Sequence, residues 1–125
     1  MKLRAITENH LYSKAYNKGK KFVGRYVVVY VMTDYKASKL AKANPMKEKI
    51  NRVGITVTKK LGGAVIRNRA KRVIREGYRL CDLEHCIRRG NLVVIVARQS
   101  IVNAGSKDVL HDFDKAFSSL GMFTK

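Results

Sequence analysis

Hydrophobic residues along the chain switch between a helical period and a strand period, and the switches mark its elements. Leu11, Tyr12, Ala15 and Tyr16 recur at helical spacing, with Thr7 or Asn9 as a cap and Gly19 as a stop. Tyr26 to Thr33 (YVVVYVMT) is β-branched or aromatic almost throughout and predicts a strand. Its faces differ: Val27, Val29 and Val31 on one, Tyr26, Val28, Tyr30 and Met32 on the other. Arg52 to Thr58 predicts a second strand with Val53, Ile55 and Val57 turned inward. Asn91 to Arg98 (NLVVIVAR) is apolar through its centre, as a strand covered on both faces requires. Ser106 reads as the N-cap of a last helix whose stripe is Val109, Leu110, Phe113, Ala116, Phe117 and Leu120. Residues 34–51 are rich in lysine and hold the only proline, Pro45; they read as a long solvated connection, partly helical through SKLAKA.

The stretch KKLGGAVIRNRAKRVIREGYR, residues 59–79, lies between two predicted strands and is long enough to supply the helix of a crossover. On a helical wheel Ile66, Ala70, Val73, Ile74, Gly77 and Cys81 fall within about 100° of one another, which marks the buried face. Asn68, Lys71, Arg72, Arg75 and Arg79 cover the opposite side, with Arg67 and Arg69 on its shoulders. Eight Lys or Arg stand here against one acid, Glu76, so no ladder of i, i+4 ion pairs is available to neutralise them. A solvated face ordinarily mixes signs. This one does not, and it is read as a phosphate-binding face. Lys59 and Lys60 precede Gly62 and Gly63, so the turn into the helix is basic too, and its backbone N–H groups can meet an anion. Gly77, inside the helix, is expected to allow close approach to the sheet.

Composition extends that reading to the whole chain. Over 125 residues, 27 Lys and Arg against 9 Asp and Glu give a net charge of +18. Such an excess opposes folding until a partner neutralises it, and nucleic acid is the commonest such partner. The length is one domain's worth, expected to span 1–125 without a break in composition or an internal repeat. The longest apolar run, Tyr26 to Met32, is too short for a membrane span, and the N-terminus lacks the apolar core of a signal peptide, so cytoplasmic residence is the default.

Catalytic chemistry is hard to place on these residues. The acids form no cluster suited to two metal ions, and His10, His85 and His111 are scattered, which disfavours a protein-only nuclease. In CDLEHC, Cys81 and Cys86 are separated by four residues rather than the two of common zinc sites, so Cys81 is read as a core thiol and no metal is assigned. The tyrosines offer a finer signal. Tyr12 and Tyr16 share a helix face, and Tyr26 and Tyr30 share a strand face. If the helix docks over the strand, a tyrosine-lined groove results, flanked by Lys14, Lys18, Lys20, Lys21 and Arg25. Such a groove suits single-stranded nucleic acid, while simple core packing with hydroxyls at the rim explains the rings equally well.

Arg52-Val53-Gly54, Lys59-Lys60-Leu61-Gly62, Ala64-Val65 and Arg67-Asn68-Arg69-Ala70-Lys71-Arg72-Val73-Ile74-Arg75 closely resemble the bacterial ribonuclease P protein subunit, whose signature is this RNR helix. The resemblance extends from roughly Leu11 to Leu120. It implies an α+β fold, a sandwich of three helices and a sheet with an unusual left-handed βαβ crossover, as in a domain of one small-subunit ribosomal protein. It also implies a function: binding a catalytic RNA and assisting removal of the 5′ leader from precursor tRNA. The RNA would carry the active site and the Mg²⁺ ions, so no catalytic residue is assigned to the protein and no obligate protein partner is inferred. By residue match, Lys59, Lys60, Arg67, Asn68, Arg69, Lys71, Arg72 and Arg75 would meet the catalytic RNA. Tyr12, Tyr16, Val28 and Tyr30 would line the cleft for the leader. Tyr12 and Tyr16 stand where the family often has Phe, which implies a more polar cleft.

Overall fold

In the computed structural model, residues 4–6, 9–33 and 51–123 are described. The Thr7 cap and the connection across 34–50, with its SKLAKA stretch, lie outside them. The elements in chain order are β1 (Arg4–Ala5), α1 (Asn9–Lys18), β2 (Lys20–Val23), β3 (Val27–Thr33), β4 (Arg52–Thr56), α2 (Ala64–His85), β5 (Asn91–Ala97) and α3 (Ser106–Ser119). Single 3₁₀ turns at Lys59–Leu61 and Gln99–Asn103 precede α2 and α3. The strands form one mixed sheet in the order β1-β4-β5-β3-β2. β4 and β5 are parallel neighbours joined through α2, so the predicted crossover is present, and β3 runs antiparallel to both β5 and β2.

The sheet separates two apolar layers because its strands alternate cleanly. Val27, Val29, Val31, Val53, Val93 and Ile95 meet α2 and α3 on one face. Leu92, Val94, Tyr30 and Met32 meet Leu11, Tyr12 and Ala15 of α1 on the other. β5 is thus buried on both sides, as its unbroken apolar centre requires. The stripe predicted for α3 is the one it buries, though its cap falls one residue earlier than expected: Gly105 is the N-cap and donates its N–H to the Asp108 carboxylate at 2.9 Å.

Three local expectations need correction. Ile66 is 41% exposed and Val65 81%, because α2 meets the core only from Ala70 onward; Tyr78, which helical phase leaves off the predicted buried face, is instead fully buried against Phe113 and Phe117. Gly77 does admit a close neighbour, but that neighbour is α3 and not the sheet: an added Cβ would lie 3.1 Å from Val109 Cγ1. Tyr26 precedes β3 and packs against the core under α2 and α3, so it shares no cleft with Tyr30. β2 is a strand that periodicity does not predict, since Lys20 and Lys21 hide a sheet edge behind two charges, a common protection of such edges.

A buried acid holds the β2–β3 bend in place. Asp112 of α3 is 6% exposed and accepts backbone N–H groups from Arg25, Tyr26 and Val27. Periodicity assigns position 112 no role, and only the bend's unpaired donors explain a carboxylate there.

Candidate nucleic-acid interface

The cationic face of α2 begins before the helix. Lys59 and Lys60 are exposed on the 3₁₀ turn after β4. Gly62 then turns the chain at φ 149°, where a side chain would be strained and its Cβ would strike Ile66. Gly63 caps α2 with no side-chain bond, so the first N–H groups of the helix face solvent as an anion site would need. Asn68, Arg69, Arg72 and Arg75 are exposed along the helix, while Arg67 and Lys71 are half-buried at its flank. Glu76 is committed to Arg79, with Nε at 3.0 Å, and that pairing holds its carboxyl below the usual range. Among the described residues, no carboxylate pairs with Arg67, Arg69, Lys71, Arg72 or Arg75.

These cations are not equivalent. Arg69 donates to the carbonyls of Val102 (3.2 Å) and Ala104 (2.9 Å), tying α2 to the second 3₁₀ turn. The Nε of Arg67 is buried without a hydrogen-bond partner, so the stem of this side chain lies against the protein rather than in solvent. Arg72 and Arg75 make no such attachment. The structure therefore divides one sequence-predicted set into a tethered arginine, a half-sunk one and two open ones.

On the other face of the sheet the tyrosines converge. The Tyr16 ring meets Tyr30 edge-on at 5.0 Å between centroids and 72° between planes. Its hydroxyl lies 3.2 Å from Thr56 Oγ1. Tyr12 donates to the Ile6 carbonyl at 3.4 Å, and burial, then the neighbouring Tyr16, raise its pKa above the usual phenol value. Its ring fits because β4 carries a glycine beneath it: a Cβ on Gly54 would lie 2.6 Å from the ring. Val28 is level with Val96 on β5 and Val23 on β2, and Val96 with Thr56 on β4, so these side chains continue the floor of the cleft past Tyr30. Val23 is 54% exposed.

All four predicted cleft residues, Tyr12, Tyr16, Val28 and Tyr30, thus share one face of the sheet, while the predicted flank changes. Lys14 and Lys18 project from α1 about 200° from Tyr12 and Tyr16. With Lys20, Met32, Leu120 and Met122 they line a separate 440 Å³ cavity. Lys21 is the cation that belongs to the cleft, being the cross-strand partner of Tyr30. Gly54, Thr56 and Val96 are cleft residues that the sequence reading misses. Strand alternation could have found Gly54 and Thr56, since each lies between residues assigned inward, whereas Val96 shows itself only through its register with Val28.

Apart from Glu76, which Arg79 holds, none of the side chains named on the α2 face or in the cleft is a carboxylate, the side chain by which proteins usually hold Mg²⁺. The one grouping of three potential metal donors among the described residues is Glu84, His85 and Asp114. It lies at the far end of α2, about 25 Å from Arg67 at 1.5 Å per residue.

A mixed sheet with α1 over one face, α2 and α3 over the other, one cationic helix and one aromatic cleft defines a small basic α+β protein. Comparison with known proteins makes the class specific. The family described as Ribonuclease P matches residues 1–121. The ribonuclease P protein component of Clostridium acetobutylicum is 34% identical, over 98% of this chain and 92% of its own. That of Clostridioides difficile is 33% identical, over 94% and 88%. The solved RNase P protein of Staphylococcus aureus superposes with a TM-score of 0.74 at 25% identity, covering 98% of this chain and all of that one. The Thermotoga maritima protein, at 21% identity and a TM-score of 0.67 over 90% and 93%, shares the fold. The chain belongs to the ribonuclease P protein family, the protein components of a tRNA-processing endoribonuclease.

Proposed function

We propose that this chain binds the catalytic RNA of ribonuclease P through the open face of α2 and takes the 5′ leader of precursor tRNA in the tyrosine cleft. The observation that carries the reading is the uncompensated charge on α2: within a helix that also makes the core, Arg79 alone of the outward cations has an acid partner among the described residues, and Arg67, Arg69, Lys71, Arg72 and Arg75 have none. Such a face is stabilised by phosphates, whose bound counterions it releases. The cleft complements it, since stacked rings with an adjacent lysine accept unpaired bases of any sequence. Mg²⁺ enters this reading as an ion that the RNA would mainly hold and that would supply charge stabilisation for phosphodiester hydrolysis there. The protein's share is to bind, orient and screen charge. Assembly with the RNA takes place in the cytoplasm, with no membrane as a partner. Among the described residues, no helix is long and apolar enough to cross a membrane.

The test is reconstitution. Protein freed of RNA, with Mg²⁺, is expected to leave precursor tRNA intact, and addition of the catalytic RNA is expected to give 5′ processing. Cleavage by rigorously RNA-free protein would overturn the division of labour.

A further inference from the structure

We infer that the 440 Å³ cavity beside α1 is a nucleotide site, in which three lysines take a phosphate and a methionine-bearing wall takes the base. Neither the α2 face nor the tyrosine cleft contributes a residue to it.

The fold makes this cavity by starting one strand late. Lys20, the first residue of β2, is level with Val31, so Met32 and Thr33 run on without a β2 neighbour. α1 borders the gap with Lys14 and Lys18, which are four residues apart and share a side of the helix. Leu120 and Met122, just beyond α3, border it from the other layer of the core. The volume lies within the range of about 300–1,000 Å³ usual for small-ligand sites.

Charge defines one end of the ligand. The lining holds three lysines and no Asp or Glu. Lys18 and Lys20 are exposed, and among the described residues no carboxylate pairs with either. Such a group of cations repels itself until an anion sits among them. A phosphate, with acceptor oxygens on several sides, meets more than one ammonium at once.

The wall defines the other end. Met32 and Met122 bring two polarizable thioethers, which make favourable contacts with aromatic rings. Thr33 and Asn91, level with each other on β3 and β5, add a hydroxyl and a carboxamide. The Asn91 amide nitrogen donates to the Arg88 and Arg89 carbonyls at 3.3 and 3.4 Å, which leaves its side-chain oxygen to accept from an amino group on a base. A fatty anion would satisfy the lysines and offer nothing to these polar groups. A nucleotide satisfies both ends. The same phosphate and base come from a free nucleotide or from an unpaired residue of a bound RNA, and the experiment separates the two.

Full-length protein with isotope-labelled methionine methyl groups is titrated with AMP while the Met32 and Met122 signals are followed. These residues belong to opposite layers of the core, so a ligand in the cavity moves both, whereas one in the tyrosine cleft lies on the wrong side of the sheet for Met122. AMP is expected to shift both signals and to saturate. Adenosine, lacking the phosphate, is expected to bind about tenfold or more weakly, as is AMP to the Lys18→Gln, Lys20→Gln double variant. Lys107→Gln, an exposed change on α3, should leave the affinity unchanged. Melting confirms that each variant is folded. The same shifts with a short unstructured RNA identify a residue of an RNA strand as the occupant; shifts with AMP alone identify free nucleotide. Unmoved Met32 and Met122 signals with both, equal AMP affinity in the double lysine variant, or an equal response to octanoate would overturn the site.

Discussion

Tyr78 shows how one buried polar atom joins three elements. Its ring is enclosed by Phe113 and Phe117 of α3, and its hydroxyl accepts a hydrogen bond from Asn51 Nδ2 at 3.4 Å. Asn51, itself buried just before β4, accepts the Asn91 N–H with its side-chain oxygen at 3.0 Å and so fixes the start of β5. The amide is therefore satisfied in both directions, which a buried side chain of that kind requires. Burial pushes the Tyr78 hydroxyl up to about 12, against 10.0 for the free phenol. The folded chain then holds this proton in a range where the unfolded chain has lost it. Stability from this group is intact below pH 10 and declines as pH rises toward about 12. Two units correspond to about 3 kcal/mol at most. Tyr78→Phe is expected to cost about 1 kcal/mol at neutral pH through the lost hydrogen bond. Its urea midpoint should then fall less steeply than the parent's between pH 10 and 12. Parallel pH profiles would mean that the phenol is not sequestered as the packing indicates.

At the scale of an element, α2 carries two requirements at once, and they meet at Arg69. Arg72 and Arg75 serve only the outer face, so Arg72→Ala with Arg75→Ala should weaken binding to the catalytic RNA without lowering the melting temperature. The dependence of log affinity on log salt should flatten by about 0.7–0.9 for each phosphate left without its cation. Arg69→Ala is expected to lower RNA affinity and also the melting temperature, through removal of two bonds to carbonyls worth about 1 kcal/mol each. An unchanged salt slope in the double variant would remove phosphate binding as the role of this face. The helix itself was legible because its charges and apolar positions separate at 3.6 residues, and β3 and β5 were legible from their β-branched runs. Other features were not, each for a physical reason. Ile66 has the right phase for the core but lies a turn ahead of where α3 begins to cover the helix. Gly77 signals a close approach, yet sequence cannot name the neighbour, which proves to be Val109. Asp112 reads as surface until the bend whose N–H groups it accepts is in view.

On the scale of the molecule, the sheet sets the two candidate surfaces apart: α2 packs against one face, and the cleft opens on the face that carries α1. One protein can then hold the catalytic RNA and the leader at once, and the two contributions should be separable. Tyr16 is the residue on which to test this, being 39% exposed and so cheap to truncate. Precursor tRNA carries the leader and mature tRNA does not, while both share the folded body. If the leader stacks on Tyr16, its removal deletes an interaction that only the precursor makes. Stacking on an aromatic side chain is worth about 1–3 kcal/mol per base, or roughly 5- to 150-fold in affinity. In the reconstituted holoenzyme, Tyr16→Ala is expected to weaken precursor binding by that order and leave mature tRNA nearly unaffected. Tyr16→Phe keeps the ring and its edge-on packing with Tyr30, giving up only the approach to Thr56, and should cost far less. Combined with Arg72→Ala and Arg75→Ala, the effects should add, because the sites are distant and share no neighbours. Equal weakening for precursor and mature tRNA would instead mean that Tyr16 acts through the fold, and the cleft would lose its claim to the leader.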